Sequence, residues 1–273
     1  MSVRRISFIG AGNMTKAIVE GLVANGYDAS SIMASNPSLP KLEQLKSTLS
    51  IEITQENKIA VEFSEVLVLA VKPQLMASVC DTFLQDTGLA NKLVISIAAG
   101  INTARLSEML GGHKQVIRVM PNTPSSLGYG MSGIYAPKHV SQEDGEFAAF
   151  MMGHVGETLI VDQEKHIDTV IAAAGSSPAY FFLIAQAMQD EAISMGLSPD
   201  DARLLVQQAM LGSAQMIKAN PEISLETLRA NVSSKGGTTA EAVATLQKHE
   251  VAHIFRKAMQ AAVTRAQQMA KEF

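Results

Sequence analysis

The chain up to residue 161 alternates short apolar runs with amphipathic segments. Uninterrupted apolar runs such as 66–71 are typical of strands buried on both faces of a parallel sheet. Apolar residues three and four positions apart predict helices between these runs. Strands that alternate with helices predict a doubly wound α/β domain. The predicted strands are 3–9, 31–35, 66–71, 93–98, 115–120, 131–135 and 157–161, and the predicted helices are 13–25, 39–49, 74–84 and 142–152.

The pattern changes near residue 162, after which no segment alternates convincingly as a strand does. Ala, Met, Gln and Leu dominate this part, and Ser198 followed by Pro199 and two acidic residues predicts a helix start. We therefore predict two domains, 1–162 with the doubly wound sheet and 163–273 built of helices alone. The Ala-rich helices predicted at 202–218 and 251–271 have wide apolar faces, which we expect a second copy of the chain to cover.

Composition excludes several classes of protein. Apolar residues make up 47% of the 273 residues and charged residues 18%, which excludes disorder as the main state. The net charge of −4 argues against a nucleic-acid partner. The single cysteine, Cys80, excludes a disulfide framework and a metal site built on a cysteine cluster, and it fits a reducing, cytoplasmic compartment.

One stretch has the length and the lack of charge of a membrane span. Residues 169–188 carry no charged side chain, and about 20 apolar residues are enough to cross a bilayer. However, the sequence Gly175-Ser176-Ser177-Pro178 lies near its centre. We therefore predict a helix, a break and a second helix, all buried against protein, and no membrane contact.

A glycine motif follows the first predicted strand and opens the first helix. In Gly10-Ala11-Gly12-Asn13-Met14-Thr15, Gly10 allows a tight turn and Gly12 lets the backbone approach a pyrophosphate at the helix N-terminus. The motif therefore predicts a dinucleotide site. Thr15 occupies the third glycine position, and we expect it to loosen the packing of strand against helix slightly.

The end of the second predicted strand indicates which dinucleotide binds. Enzymes that use NAD commonly place an Asp or Glu there to bind the ribose hydroxyls. Here the chain has Ser35 and Asn36, which can donate hydrogen bonds to a 2′-phosphate, with Lys41 nearby. We therefore predict NADP(H) as the preferred cofactor and NAD(H) as the alternative.

Three more segments follow predicted strands and are expected to line one crevice, because ligands of open α/β sheets bind at the carboxyl ends of the strands. They contain the further predicted cofactor residues Ala70, Val71, Lys72, Pro73, Ala98, Gly100, Met120, Pro121 and Asn122.

A second cluster of polar residues lies in the helical part. In Ser233-Ser234-Lys235-Gly236-Gly237-Thr238-Thr239, two glycines and two threonines precede a helix. Thr238 and Glu241 have the spacing of a capping box, and the same helix start also suits a small carboxylate. Ser176 lies at a predicted kink with hydroxyls that can face a cleft. His249 and His253 match the H-E-x-x-H zinc pattern, but no third ligand is evident, so no metal site is predicted.

Joined in this order, the segments resemble the Δ1-pyrroline-5-carboxylate reductases over nearly the full chain. The resemblance rests on Gly10–Met14, Ala70–Pro73, Ser96–Gly100, Arg118–Pro124, Gly175–Tyr180 and Gly236–Thr239. It implies a Rossmann domain followed by a helical dimerisation domain, and a homodimer that can assemble further into a pentamer of dimers. It also implies reduction of pyrroline-5-carboxylate to L-proline, the last step of proline synthesis, with NADPH or NADH.

The resemblance also implies roles for individual residues. Ser35 and Asn57 would approach the adenosine ribose and its phosphate, and Ala70, Lys72 and Pro73 would lie along the cofactor. The substrate residues would be Ser176, Ser233, Gly236, Gly237, Thr238 and Thr239. Thr239 would lie nearest the ring nitrogen, where we expect its hydroxyl to donate a hydrogen bond during catalysis.

Two residues depart from the family pattern: Thr15 replaces a Gly or Ala, and Lys235 replaces a proline.

Two other functions are alternatives to the reductase. A two-domain 3-hydroxyacid dehydrogenase would need an interior lysine as general acid, but Lys165 and Lys218 lie near predicted helix ends. A dimeric NADP-binding sensor would bind NADPH without oxidising it.

Overall fold

The computed structural model describes residues 3–84 and 88–272, and it confirms a Rossmann-like sheet followed by helices. The described residues contain eight strands in the order β3-β2-β1-β4-β5-β6-β7-β8. The strands are β1 (Ile6–Ile9), β2 (Ile32–Ser35), β3 (Glu52–Thr54), β4 (Val66–Leu69), β5 (Leu93–Ser96), β6 (Val116–Met120), β7 (Gly130–Tyr135) and β8 (Gly156–Ile160).

The strand order brings the carboxyl ends of six parallel strands, β1 to β6, to one edge. Ile9 at the end of β1 is in register with Ser35 of β2 and with Leu69 of β4. The chain runs from β1 outwards to β2 and β3 and then returns to β4 on the other side of β1. This reversal creates the crevice in which doubly wound folds bind their ligands. The last two strands run the other way, since β7 is antiparallel to β6 and β8 is parallel to β7.

All seven predicted strands exist, and the sequence analysis missed one. The missed strand, β3, has only three residues and lies at the edge of the sheet, where Glu52 is exposed. An edge strand this short buries no apolar run, so it lacks the pattern that revealed the others.

The helices around the sheet are α1 (Asn13–Ala24), α2 (Leu39–Leu49), α3 (Asn57–Phe63), α4 (Met76–Asp81), α5 (Thr103–Met109) and α6 (Gln142–Gly153). The predicted helix 74–84 is wrong in extent. Pro73–Leu75 forms a 3-10 turn, and the α-helix that follows is α4 alone. The helices α3 and α5 were not predicted, because seven residues are too few to show a clear helical period.

The remaining helices are α7 (His166–Val170), α8 (Ser177–Ser194), α9 (Pro199–Ala219), α10 (Leu225–Asn231), α11 (Thr238–Lys248) and α12 (Val251–Glu272). Ser198 caps α9 as predicted, since its hydroxyl accepts a hydrogen bond from the amide of Asp201. The predicted break near Gly175 is wrong. Residues Ile171–Gly175 instead form a π turn, and the chain stays helical from His166 to Ser194.

The contacts divide the chain into two compact units. One unit contains residues 1–176 together with 262–273, and the other contains residues 177–261. The last turns of α12 thus belong with the sheet. The division at residue 162 remains a prediction about domains.

Large apolar side chains are exposed along the helices of the second unit. Phe182 and Leu183 on α8 are each 68% exposed, and Leu204 and Leu205 on α9 are more than half exposed. The stretch His166–Ser194 is also long and apolar enough to cross a membrane by length and composition, although some soluble core helices pass the same test. An apolar surface of this extent marks an interaction surface.

A buried arginine connects the sheet with two helices of the same unit. Arg118 on β6 is 4% exposed, and its guanidinium lies 3.5 Å from a carboxylate oxygen of Glu164 and 3.7 Å from one of Asp168. Glu164 also accepts hydrogen bonds from the amide and hydroxyl of Thr103 at the start of α5. Burial raises the pKa of Asp168, an effect that Arg118 and a hydrogen bond from Gln267 on α12 oppose.

We expect Arg118→Met to lower the free energy of unfolding by about 2–3 kcal/mol at about pH 7.5. The substitution leaves the carboxylates of Glu164 and Asp168 without their cation. Because both carboxylates are partly exposed, the free-energy cost is smaller than that of breaking a fully buried ion pair. Without Arg118 the pKa of Asp168 rises further. Because a raised carboxyl pKa favours the protonated folded state, stability recovers as the pH falls towards about 5.

Urea unfolding at both pH values and at one protein concentration measures this loss. Arg105→Met is the control, because the Arg105–Glu108 pair is exposed and its loss should cost less than about 1 kcal/mol. A loss at Arg118 that grows with acidity would contradict the assigned charges.

Candidate functional site

The turn after β1 requires glycine at position 10. Gly10 has a φ of +108°, and a Cβ built on it would lie 2.7 Å from the backbone oxygen of Ala70. The Gly10 amide also donates to the oxygen of Ser35. The glycine turn is therefore packed directly against the loops that follow β2 and β4.

Gly12 provides an open, uncapped helix start. It is the N-cap of α1, makes no side-chain cap, and is followed by a first turn without acidic residues. A Cβ on Gly12 would have no atom within 4 Å, so the space above the backbone is open. Free N–H groups and the positive end of the helix dipole suit a phosphate. The residues present therefore fit a dinucleotide.

The expectation that Thr15 loosens the packing is wrong. Thr15 is fully buried, and its hydroxyl donates a 2.7 Å hydrogen bond to the backbone oxygen of Gly10. The extra atoms of threonine, compared with glycine, thus connect α1 to the turn. The side chain supports the turn from inside.

The other predicted cofactor segments lie at the same edge of the sheet. Ala70–Pro73 follows β4, Ala98–Gly100 follows β5, and Pro121–Asn122 follows β6 directly, after Met120 at its end. Gly100 has a φ of +75°, and a Cβ there would lie 2.7 Å from the Cβ of Met269 on α12. This contact with the last helix has no local signal in the sequence, and the sequence analysis missed Met269.

A chain of polar side chains fixes the position of Asn57. The fully buried hydroxyl of Ser35 donates to Oδ1 of Asn57 at 2.7 Å, and Nδ2 of Asn57 donates to the hydroxyl of Thr82 at 2.9 Å. Sequence reasoning missed Thr82, because it lies 25 residues away at the end of another helix. The direct contacts of Ser35 and Asn57 with adenosine remain predictions.

Asn36 occupies the position of the acidic residue in NAD-binding sites. Its Oδ1 accepts a hydrogen bond from the amide of Ala11 at 3.3 Å, and its Nδ2 donates to the oxygen of Ser38 at 3.4 Å. An uncharged side chain therefore touches the glycine turn here. Asn13 and Met14, at the start of α1, line a cleft with Thr123 and Ser126.

The predicted substrate segment lies in the second unit, at the start of α11. The predicted capping box is wrong: Gly237 is the N-cap, Thr238 is the first helical residue, and no side chain caps the helix. A Cβ on Gly237 would lie 2.7 Å from Oγ of Ser234, so this turn is tight. The hydroxyl of Ser233 donates to the oxygen of Arg229, and Lys235 is exposed. The uncapped start leaves N–H groups for an anion.

Ser176 ends the first unit and closes the π turn, where its amide donates to the oxygen of Ile171 at 2.8 Å. The structure thus distributes the predicted substrate residues over both units.

The zinc pattern does not lie on one helix. His249 is the C-cap of α11, Glu250 has a φ of +54°, and His253 belongs to α12. The two histidines therefore do not stack one helical turn apart. Within residues 3–84 and 88–272, no group of three His, Cys, Asp or Glu side chains is arranged to hold a metal.

Two family models match the chain. The model for pyrroline-5-carboxylate reductase dimerisation matches residues 164–269, which include the apolar helices of the second unit. The model for NADP oxidoreductases, coenzyme F420-dependent, matches residues 5–100, which include the glycine turn.

Relatives match from end to end. The chain is 56% identical over 273 residues, all of both chains, to a pyrroline-5-carboxylate reductase of Vibrio alginolyticus. The chain belongs to the pyrroline-5-carboxylate reductase family. The solved structure of such a reductase from Coxiella burnetii is similar at 39% identity and a TM-score of 0.93, covering 98% of this chain and 99% of that one. The pyrroline carboxylate reductase of Plasmodium falciparum, solved with NADP bound, matches at 28% identity and a TM-score of 0.87 over 99% of both chains.

Membership of the reductase family confirms the resemblance on which the sequence analysis relied. The two departures from the family pattern now have a structural description. Thr15 adds a buried hydrogen bond, and Lys235 lies at the surface.

We expect Gly10→Ala and Gly12→Ala to have opposite consequences. In Gly10→Ala the new Cβ would clash with the Ala70 oxygen, and the residue would have to keep a positive φ. We therefore expect this substitution to lower the free energy of unfolding by more than about 2 kcal/mol. Gly12→Ala has an ordinary φ of −86° and open space, so stability should stay unchanged or rise slightly. Its methyl group should nevertheless weaken NADPH binding at least tenfold.

Unfolding without nucleotide and NADPH titration by fluorescence measure the two effects separately. Unchanged NADPH affinity in Gly12→Ala would show that no phosphate approaches this helix start.

Proposed function

We propose that this reductase family member converts Δ1-pyrroline-5-carboxylate to L-proline with NADPH, the last step of proline synthesis. The observation that carries the proposal is the end-to-end identity of 56% with a reductase of that name. An open glycine turn that fits a dinucleotide, and a second helix start that fits a carboxylate, support it.

The chemistry needs few ionisable groups from the protein. A reduced nicotinamide supplies the hydride, and the cyclic imine accepts it readily once its nitrogen is protonated. The amides of Gly237, Thr238 and Thr239 hold the carboxylate at the start of α11. The hydroxyl of Thr239 donates to the lone pair that forms on the nitrogen. Positioning of this kind can lower a barrier by roughly 7–11 kcal/mol.

The cofactor is NADPH in preference to NADH. Ser35 at the end of β2 and Asn57 at the start of α3 are uncharged, and Asn36 stands at the position of the usual acid. The NADP in the Plasmodium falciparum structure supports this choice.

The working assembly is a homodimer that can form a pentamer of dimers, in the cytoplasm. The exposed apolar residues of α8 and α9, within the match to a dimerisation model, support a second copy as the partner of this surface.

We expect the protein to oxidise NADPH when pyrroline-5-carboxylate is added, and Thr239→Ala to lower kcat/KM. A hydrogen bond to a charged or charging group is worth roughly 1.5–3 kcal/mol, so the loss should be about 10- to 100-fold. Thr239→Ser keeps the hydroxyl and should retain most of the activity. Absorbance of NADPH and chromatography of proline follow the reaction.

Thr245→Ala is the control on the same helix, because its exposed hydroxyl bonds only within α11. NADPH binding without oxidation would indicate a sensor and refute the reductase. Full activity in Thr239→Ala would refute the role given to Thr239 but not the proposed reaction.

We expect Asn36→Asp to shift the preference from NADPH towards NADH. The carboxylate keeps an acceptor for the Ala11 amide but repels a 2′-phosphate, which should reduce kcat/KM for NADPH at least tenfold. The ratio of kcat/KM for the two cofactors measures the shift. Asn91→Asp is the matched control, because Asn91 precedes β5 and so lies at the amino ends of the parallel strands, away from the glycine turn. An unchanged ratio in Asn36→Asp would place the 2′-phosphate elsewhere.

A further inference from the structure

Four polar groups near the end of β2 are joined by hydrogen bonds that all run in one direction. The hydroxyl of Thr82 donates to the backbone oxygen of Val79 at 2.6 Å. A hydroxyl has a single proton, so Thr82 can only accept from its other neighbour, Asn57. The atom of Asn57 that lies 2.9 Å from this hydroxyl is therefore Nδ2. Thr82 thus determines which way round the amide group of Asn57 stands.

The same direction fixes what Ser35 can do. With Nδ2 on Thr82, Oδ1 of Asn57 faces Ser35, whose hydroxyl donates to it at 2.7 Å. This bond uses the only proton of the hydroxyl, and Ser35 is fully buried. Phosphate oxygens need donors, and Ser35 has none left to give. These contacts favour a supporting role for Ser35 over direct contact with a 2′-phosphate.

Asn57 keeps one donor for a ligand. Its Nδ2 has two hydrogens, and Thr82 accepts only one of them. Within residues 3–84 and 88–272, no acceptor takes the second hydrogen, and the side chain is only half-buried. The backbone oxygen of Ser35 accepts from the amide of Gly10 at 2.8 Å. The remaining N–H therefore belongs to a group that is anchored to the glycine turn.

We propose that Thr82 is a positioning residue for cofactor choice: it orients the amide of Asn57 so that the second N–H of Nδ2, rather than the hydroxyl of Ser35, donates to the 2′-phosphate of NADPH. This inference rests on the proposed preference for NADPH. Turned the other way, the amide would present a carbonyl oxygen, which cannot donate to a phosphate. The 2′-hydroxyl of NADH can donate or accept, so it tolerates either orientation.

Thr82→Val tests this role, because valine has nearly the shape of threonine without its hydroxyl. Thr82 is exposed, so the variant should fold, which urea unfolding checks. Loss of one hydrogen bond corresponds to about a fivefold change. We expect the Kd of NADPH to rise about fivefold and that of NADH to stay within about twofold, as measured by fluorescence titration. An equal rise in both Kd values would indicate a merely structural role and would overturn the proposal.

Two further variants of α4 and its end serve as controls. Thr82→Ser keeps the hydroxyl and should restore both Kd values to within about twofold of the natural protein. Ser78→Ala is the matched control, because Ser78 is exposed and its hydroxyl also donates to an oxygen three residues back, that of Leu75. It should leave both Kd values unchanged. A selective loss of NADPH affinity in either control would count against the hydroxyl of Thr82.

Asn57→Ala identifies the group through which Thr82 acts. Alone, it should weaken NADPH selectively and at least as much as Thr82→Val does. In the Asn57→Ala background, neither Thr82→Val nor Ser35→Ala should change the ratio of the two Kd values by more than about twofold, since both residues act through the lost amide. A tenfold change from Ser35→Ala in that background would show that Ser35 contacts the phosphate itself, and the proposal would be wrong.

The binding measurements do not depend on the reaction. If the natural protein prefers NADPH but does not reduce the imine, the proposed reaction fails, and the Kd ratios still decide the role of Thr82. If Thr82→Val keeps the full preference for NADPH, the proposed function stands and only the role of Thr82 is refuted. Equal affinity of the natural protein for the two cofactors would refute both the NADPH preference and the role of Thr82.

Discussion

The close approach of Gly10 to the oxygen of Ala70 is the constraint on which the cofactor half of this protein depends. It places the turn after β1 against the loop after β4, where the strand order reverses. A side chain at residue 10 would separate the two loops by the size of a methyl group. The open backbone of Gly12 and the buried hydroxyl of Thr15 are arranged around this contact. A phosphate site made of backbone amides tolerates little displacement, since its donors cannot change rotamer.

Backbone groups do most of the binding that we assign to this reductase family member. The start of α1 and the start of α11 both lack a side-chain cap, and both follow glycine. Among the predicted site residues, only Lys72 carries an ionisable side chain. A reaction between a hydride donor and a protonated imine needs orientation more than proton transfer, and fixed amide donors provide orientation without reorganisation.

The sequence was sufficient wherever a feature depended on local pattern. Apolar runs revealed seven strands, and Gly10 and Gly12 stood out by their position between a strand and a helix. It was insufficient where the decisive contact came from a distant part of the chain. Thr82 and Met269 act through partners 25 or more residues away, and no period or spacing points to them. Thr238 and Glu241 show that a local pattern can also mislead. They have the spacing of a capping box, but the N-cap of the helix is Gly237 and Thr238 is already helical.

Pro178 lies within a continuous helical stretch although it has no N–H group to donate. A proline near the start of a helix is usually tolerated, because the first amides of a helix lack partners anyway. Here the helical path continues across it, and the side-chain amide of Asn122, in the loop after β6, donates to the oxygen of Ala174. The helix gains a fixed attachment at the turn that carries Ser176.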